Sequence, residues 1–297
     1  MKPLNPIATY IKIFIFDYQN QFSSAVAVIS RLARRISLDV SRNALLFACL
    51  GVCNLNATML VFEWTPRRVV LAADSLIIKA TPLTATEVIG CKIYQASDVF
   101  FAFVGMTDDK TAGLDLVPIG KRTLRANGRL ENKIESFNMQ ALATIKRLLE
   151  IESNLQPLKS LPGPKERSLD LVVTSAKDHI LATRRYTRKT NGEIVVAPPV
   201  FYGNFFGQSR DTDYKAVGAI EDASTAMLSD SRLRGLQGTT FIDAVMQVQF
   251  RAEMDHKQRG QQTVRRVGPP VSVLQVEGGK ASWVEDHQGK CPNVTAY

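Results

Sequence analysis

The sequence has little of what a protein metal centre needs. Among 297 residues there are three His and four Cys. They are scattered along the chain: His179, His256, His287, Cys49, Cys53, Cys91 and Cys291. Neither set has the close spacing typical of metal ligands, so we expect no metal and no other cofactor. A disulfide between Cys91 and Cys291 is conceivable in an exported protein, but two unpaired thiols are the expected state.

The chain also lacks an apolar run long enough to span a membrane, which takes about 20 residues. Its longest run, residues 44–53, follows four Arg and ends at Leu55, Asn56 and Ala57. A basic flank, a short apolar core and a small-residue boundary are typical of a secretory signal peptide. We expect residues 1–57 to be a leader that is removed, and the mature protein to be periplasmic or extracellular. The alternatives are a propeptide that the protein cleaves itself, which leaves it cytoplasmic, and a retained anchor or lipoprotein.

Basic residues exceed acidic ones, and the formal net charge is +9. Charge alone permits nucleic-acid binding, but no basic stretch is interleaved with aromatic residues. We therefore expect no nucleic-acid partner.

No internal repeat, low-complexity tract or linker divides the rest of the chain. Residues 58–284 are expected to form one domain, followed by a flexible tail over residues 285–297. The pattern predicts amphipathic helices at 137–153 and 240–256. It predicts strands at 58–64, 68–78, 91–95, 99–104, 169–174, 179–185, 271–276 and 281–284. This order favours an α+β fold, a four-layer αββα sandwich in which helices cover both faces of stacked sheets.

The chemistry that the sequence suggests begins at Thr58. A threonine hydroxyl is a poor nucleophile, but at a chain terminus the residue's own α-amine can act as general base. That amine has a reference pKa of about 7.7–8.0, close to a working pH. Cleavage before Thr58 would therefore switch on the chemistry.

Three further residues fit a supporting role. Asp74 ends the apolar stretch 69–73, and the turn at 65–68 brings that end of the hairpin near Thr58. Lys92 begins the next strand, where its charge would lower the pKa of a nucleophile. Gly105 follows residues 99–104, where its backbone N–H could serve as oxyanion donor.

These residues lie in stretches that resemble a known family. "TMLVFEWTPRRVVLAADS", "CKI" and "VFFAFVGM" are similar to the opening of proteasome-type N-terminal nucleophile hydrolases, which include proteasome β subunits. The resemblance implies Thr58 as nucleophile and base, Asp74 and Lys92 as its supporting pair and Gly105 as oxyanion donor. It also implies a late acid, for which Asp255 is the candidate, with Thr263 in the place of a serine.

The expected function is an exported N-terminal threonine hydrolase that cleaves an amide bond in a peptide or a small acyl-amide. The family forms rings, so a homo-oligomer is possible. The competing interpretation is a catalytically silent relative that acts in binding or assembly, and a third is a binding module of unrelated fold. A mature chain that begins at Thr58 favours the enzyme.

Overall fold

The computed structural model describes residues 53–56, 58–80, 85–154, 166–202, 213–218, 233, 236, 238–260, 265–284 and 287–297. Residues 51–297 belong to one compact unit. The expected signal peptide therefore lies outside the described residues, apart from strand β1 at its end. The fold of the described part is mixed α+β and is dominated by antiparallel sheets.

The first sheet contains ten strands among the described residues. Seven of them follow the order β11-β10-β9-β7-β1-β4-β5, while β12 pairs with β10, and β6 and β8 pair with β7. Their bounds are β1 Cys53–Asn56, β4 Leu76–Ala80, β5 Ala85–Ile89, β6 Ile93–Ala96, β7 Val99–Asp109, β8 Leu114–Asp115, β9 Arg167–Ser175, β10 Ile180–Arg188, β11 Ile194–Val196 and β12 Val200–Tyr202.

The second sheet has five described strands in the order β13-β2-β3-β14-β15. Their bounds are β2 Met59–Trp64, β3 Arg68–Asp74, β13 Asp213–Gly218, β14 Val271–Glu277 and β15 Lys280–Trp283. Thr65 closes the β2–β3 hairpin, because its hydroxyl accepts the Arg68 N–H at 2.9 Å and donates to the Arg68 carbonyl at 3.1 Å.

Three helices are described: α1 Leu116–Leu124, α2 Leu130–Asn154 and α3 Gly238–Gln258. Asp115 caps α1, where its carboxylate accepts the Val117 N–H at 2.9 Å. This bond satisfies one of the N–H groups that a helix start leaves without an intrahelical partner. The two long helices contain the predicted segments 137–153 and 240–256, each with an added turn or more.

Three apolar clusters hold the elements together. One packs α1 and α2 against the first sheet through residues such as Phe103 and Phe137. A second joins the two sheets through residues such as Phe62 and Phe100, and a third packs α3 against the second sheet. Because side chains alternate along a strand, β2 sends Leu60, Phe62 and Trp64 into one cluster and Met59 and Val61 into another. Burial of both faces explains why its sequence is apolar apart from Glu63, which is paired with Arg68.

The predicted strand 68–78 is corrected to two strands in different sheets. β3 ends at Asp74 in the second sheet, and β4 begins at Leu76 in the first. The break at Ser75 has a local cause, because the Asp74 carboxylate accepts the Leu76 N–H at 3.2 Å. This bond back to the chain two residues on turns the backbone, as Asp side chains commonly do.

The cysteine expectation is also corrected: Cys91 and Cys291 form a disulfide across a sequence separation of 200 residues. The last residues of the chain, for which the sequence predicts a flexible tail, make further contacts with the domain. The Trp283 indole donates to the Pro292 carbonyl at 2.8 Å, and the Tyr297 hydroxyl donates to the Gly279 carbonyl at 2.9 Å.

Candidate functional site

The Asp74 carboxylate is the centre of the candidate site. It lies at the end of β3 and is fully buried. It accepts hydrogen bonds from the N–H groups of Met59 at 2.8 Å, Leu76 at 3.2 Å and Gly268 at 3.2 Å. The Lys92 ammonium lies 3.0 Å from both of its oxygens. Four donors around one carboxylate are the arrangement expected of an ionised acid held in a dry interior.

Burial acts on both members of this ion pair. It raises the pKa of Asp74, while Lys92 and the N–H groups of Met59 and Gly268 lower it. It lowers the pKa of Lys92, and the charge of Asp74 acts in the opposite direction. A lysine whose pKa is lowered holds its proton less tightly than a solvated lysine, which suits a group beside a proton-transfer site.

Thr58 is the residue directly before β2, which begins at Met59. Its neighbour Met59 donates to the same Asp74 oxygen that Lys92 contacts. Thr58 is fully buried, and its hydroxyl oxygen has no hydrogen-bond partner among the described residues. A buried polar atom without a partner is unfavourable and is concentrated at functional sites. Of the residues predicted from the sequence, Asp74 and Lys92 are in contact, and Thr58 directly precedes a backbone donor to Asp74. Their catalytic roles stay a prediction.

Strand β1, Cys53–Asn56, precedes Thr58 in the chain. β1 lies between β4 and β7 and is antiparallel to both. Asn56, two residues before Thr58, is in register with Gly105. β1 was not predicted from the sequence, because Cys53 ends the apolar core of the leader and residues 54–56 belong to its expected boundary.

The sequence predicts that Gly105 follows a strand ending at Val104. In the structure Gly105 lies within that strand, because β7 extends to Asp109. Its φ of 113° is in the region that side chains rarely adopt. A Cβ at this position would also lie 2.8 Å from the Ser168 carbonyl oxygen on β9. Both observations require glycine here, whatever role its N–H has. Beside it, burial raises the pKa of Glu152 to about 7, against the lowering effects of Arg167 and the Met106 N–H.

The loop after α3 supplies the third backbone donor to Asp74. Within it, Arg266 is anchored to the buried Glu253 of α3: the Glu253 carboxylate accepts the Arg266 N–H at 2.7 Å and its guanidinium Nε–H at 2.9 Å. Gly268, two residues further on, then reaches Asp74. No role for Gly268 was predicted from the sequence, because its contribution is a backbone N–H.

Asp255, the predicted late acid, is not among the groups that meet at Asp74. It is exposed near the end of α3. The buried acid of this turn is Glu253, and a separation of two residues places side chains on nearly opposite faces of a helix. Thr263 lies outside the described residues.

Solved structures similar to this chain include three of Anbu. A Gly-1 mutant from Hyphomicrobium sp. strain MC1 has 12% sequence identity and a TM-score of 0.42, over 78% of this chain and 89% of that one. Anbu from Yersinia bercovieri, described as an ancestral beta-subunit, has 16% identity and a TM-score of 0.39, over 77% and 88%. A second structure from the Hyphomicrobium strain has 12% identity and a TM-score of 0.36, over 77% and 89%. No protein-family model and no curated protein matches.

This finding corrects the placement among proteasome β-subunit-type N-terminal nucleophile hydrolases that the sequence resemblance suggested. The similar structures are of Anbu, and no family model or curated protein supports that placement. The reason is physical: the stretches that carried the resemblance form β2, β3 and β7, which are buried almost throughout. Burial alone demands their apolar residues, so the pattern does not identify a family.

Metal-ligand groups and membrane-spanning helices are both absent from the described part of the chain. No group of three or more His, Cys, Asp or Glu there is arranged to hold a metal ion. No helix there is long and apolar enough to cross a membrane.

Proposed function

We propose that this protein is an N-terminal threonine amidohydrolase that becomes active when the chain is cut between Ala57 and Thr58. The observation that carries the proposal is the buried Thr58 hydroxyl, which has no hydrogen-bond partner among the described residues and belongs to the residue directly before Met59, a donor to Asp74. In the uncut chain the Thr58 nitrogen is part of a peptide bond and cannot take a proton. After the cut it is an amine, and a general base then lies on the nucleophile itself.

The proposed reaction is acyl transfer. The Thr58 hydroxyl oxygen attacks the carbonyl carbon of the substrate as its proton passes to the α-amine of Thr58. The resulting oxyanion accepts a hydrogen bond from the Gly105 N–H. Collapse of this intermediate breaks the amide C–N bond, and the amine product leaves with the proton. Water then attacks the ester by the same route, which releases the acid and restores the hydroxyl.

Lys92 and Asp74 act on this reaction through charge. The ammonium stabilises the alkoxide character that develops on Thr58 during attack. Asp74 keeps that ammonium in place and, through the Met59 N–H, fixes the backbone that carries the nucleophile. Asp255 stays a predicted contributor, and its exposed position on α3 makes any effect on Thr58 an indirect one.

The substrate class is an extended peptide. β1 occupies a place between β4 and β7 where main-chain hydrogen bonds run to both sides. Once the leader has left, those two strands present unpaired N–H and C=O groups to each other. An extended peptide satisfies them by adding a strand, a common mode of peptide recognition. Its scissile bond would then lie where the bond after Ala57 lay.

Export from the cytoplasm is part of the proposal. The leader pattern supports it, and so does the Cys91–Cys291 disulfide, since disulfides persist in oxidising compartments. We also propose the four-layer order helix, sheet, sheet, helix. Its support is the three separate apolar clusters, two of which pair a sheet with helices and one of which pairs the two sheets.

The decisive experiment determines the N-terminus of the protein purified from its native host, by intact mass and N-terminal sequencing. We expect a chain that begins at Thr58 and hydrolyses fluorogenic peptides. Thr58→Ala should abolish hydrolysis and leave the circular dichroism spectrum and the unfolding midpoint close to wild type. Thr58→Ser is the matched control, because it keeps a hydroxyl and an amine and should retain a measurable fraction of the activity.

A mature chain that still carries residues ahead of Thr58 would refute the enzyme and favour the silent binding subunit. Equal hydrolysis by wild type and Thr58→Ala would show that another residue is the nucleophile.

A further inference from the structure

The C-terminal residues 287–297, here called the strap, are linked, directly or through Ser272, to residues that neighbour Asp74 and Lys92 in the chain. On the Asp74 side, Ser75 and Ser272 are buried, and their hydroxyl oxygens are 3.3 Å apart. The Ser272 hydroxyl also lies within hydrogen-bond distance of the Gln288 carbonyl, at 3.2 Å. The strap therefore contacts the residue that directly follows Asp74 by way of one buried serine.

The strap packs tightly at this point. Gly289 has a φ of +58°, and a Cβ there would lie 2.8 Å from the Ser272 hydroxyl and 3.5 Å from the Ser75 hydroxyl. A side chain at position 289 would thus push against the turn that carries Asp74. The strap is further joined to β14, because the Val273 N–H donates to the His287 carbonyl at 2.8 Å.

On the Lys92 side the link is covalent. Cys91, which is bonded to Cys291 of the strap, directly precedes Lys92. Three residues after Lys92, the Gln95 amide is paired with the Thr295 backbone: it donates to the carbonyl at 2.7 Å and accepts from the N–H at 2.9 Å. The backbone on both sides of Lys92 is therefore attached to the strap.

We infer that the strap positions Lys92 against Asp74, with Cys291 and Gly289 as its positioning residues, so that the ion pair depends on the Cys91–Cys291 disulfide. Among the described residues Lys92 has no charged partner other than Asp74, and burial disfavours its charge. An ammonium in that situation keeps its place only while the backbone beneath it is fixed. The inference rests on the proposed function for its catalytic meaning, but the positioning itself can be measured without any activity.

Reduction of the disulfide tests this dependence. A dithiol such as dithiothreitol breaks the S–S bond, each sulfur gains one electron and one proton, and the dithiol becomes a cyclic disulfide. Strap and Lys92 are then joined by noncovalent contacts alone. The local opening that exposes Lys92 becomes more frequent, while regions distant from the strap keep their protection.

The test labels lysines with methyl acetimidate and follows each by peptide mass spectrometry. Lys133 is the internal control, since its side chain is 8% exposed and its carboxylate partner is Asp98, in the turn between β6 and β7. In Cys291→Ser, and in wild type treated with dithiothreitol, we expect Lys92 to react about tenfold faster than in the oxidised protein, with Lys133 unchanged. Gly289→Ala should also increase the labelling rate of Lys92, although the disulfide is intact. Tyr297→Phe removes a hydrogen bond at the last residue of the strap and should leave the labelling rates of Lys92 and Lys133 unchanged.

Lys92 that stays as protected after reduction as before it would overturn the inference. So would equal acceleration of Lys92 and Lys133, because the disulfide would then hold the whole fold and not the pair. In the activity assay, reduction should lower kcat and leave KM unchanged, with recovery on reoxidation. If the oxidised wild type hydrolyses no peptide, the proposed function fails and the labelling result still decides the inference.

Discussion

Asp74 has a structural role that does not depend on chemistry. Its carboxylate satisfies three backbone N–H groups and one ammonium in a place that water does not reach. Removing one member of such a buried pair leaves the other charged or forces it to change its protonation, at a cost of about 3–5 kcal/mol. Because Asp74 and Lys92 are both buried, changes at either are expected to have large effects on stability.

The residue-scale prediction follows from that burial. Lys92→Met should lower the free energy of unfolding by about 3–5 kcal/mol, because the Asp74 carboxylate is left buried without its cation. Urea unfolding at pH 7 measures the change. Lys133→Met is the matched control: it also removes a buried lysine, but its partner Asp98 is 18% exposed and 3.4 Å away, so the loss should be smaller. Equal losses in the two variants would contradict the special role of the Asp74–Lys92 pair.

Some of the site can be predicted from single residues, and some cannot. An acid at the end of an apolar strand and a lysine at the start of another are costly unless paired, which made Asp74 and Lys92 candidates. Gly268 and Glu253 gave no comparable signal. Their contributions come from a backbone N–H and from a helix face, and both depend on how α3 meets the second sheet.

At the scale of elements, β1 shows the limit of reading strands from periodicity. Four residues are too few for a pattern, and β1 forms because β4 and β7 offer hydrogen bonds on both sides. The opposite error occurred at residues 68–78. Apolar residues lie on both sides of Asp74 and Ser75, and periodicity does not reveal that a hydrogen bond from the Leu76 N–H to the Asp74 carboxylate divides the segment there.

The element-scale prediction concerns the place that β1 fills. A recombinant chain that begins at Thr58 should be stabilised by a synthetic peptide of residues 51–57, because the peptide pairs with β4 and β7 in the manner of β1. The unfolding midpoint should rise with peptide concentration. The free energy of unfolding should increase by about 2.7 kcal/mol at a peptide concentration of a hundred times Kd. The matched control peptide carries Pro at the Leu55 position, which removes one backbone donor. Equal effects of the two peptides would show that binding does not use strand pairing.

In the molecule as a whole, one acidic side chain joins elements that are about 170 residues apart in the sequence. Glu87 on β5, at the edge of the first sheet, contacts Lys257 on α3 at 2.7 Å and the guanidinium of Arg265 at 2.7 Å. It also accepts the Arg265 N–H at 2.8 Å. Although burial acts to raise it, these bonds lower the pKa of Glu87 to about 2 from its ordinary 4.5.

The predicted pH dependence follows from the sign of that shift. A carboxyl whose pKa is lower in the folded protein adds stability above its unfolded pKa, and that stability is lost as the pH falls from about 4.5 to about 2. Glu87→Gln should therefore be less stable than wild type at pH 7 and equal to it near pH 2, as measured by urea unfolding. Glu166→Gln, which breaks the half-exposed pair with Lys189, should cost no more than about 1 kcal/mol at pH 7. A constant difference between Glu87→Gln and wild type across this range would contradict the assignment.

The overall architecture was more predictable than its long-range links. The α+β class follows from strand and helix periodicities, which are local. The Cys91–Cys291 disulfide joins residues 200 positions apart, and sequence gives no measure of the distance between them. The contacts of residues 287–297 are of the same kind, since single polar groups meet distant backbone atoms and leave no periodic pattern.

The chain crosses between the two sheets twice beside Asp74, once from β1 to β2 and once from β3 to β4. The Asp74 carboxylate accepts the N–H of the first residue after each crossing, Met59 and Leu76. It is therefore a docking point for the two sheets as well as a candidate for chemistry. Mutational drift away from catalysis would then be uneven: Thr58 could be exchanged at little structural cost, whereas Asp74 could not. A homologue that has lost its nucleophile should still carry this aspartate, and its presence alone would be no sign of an active enzyme.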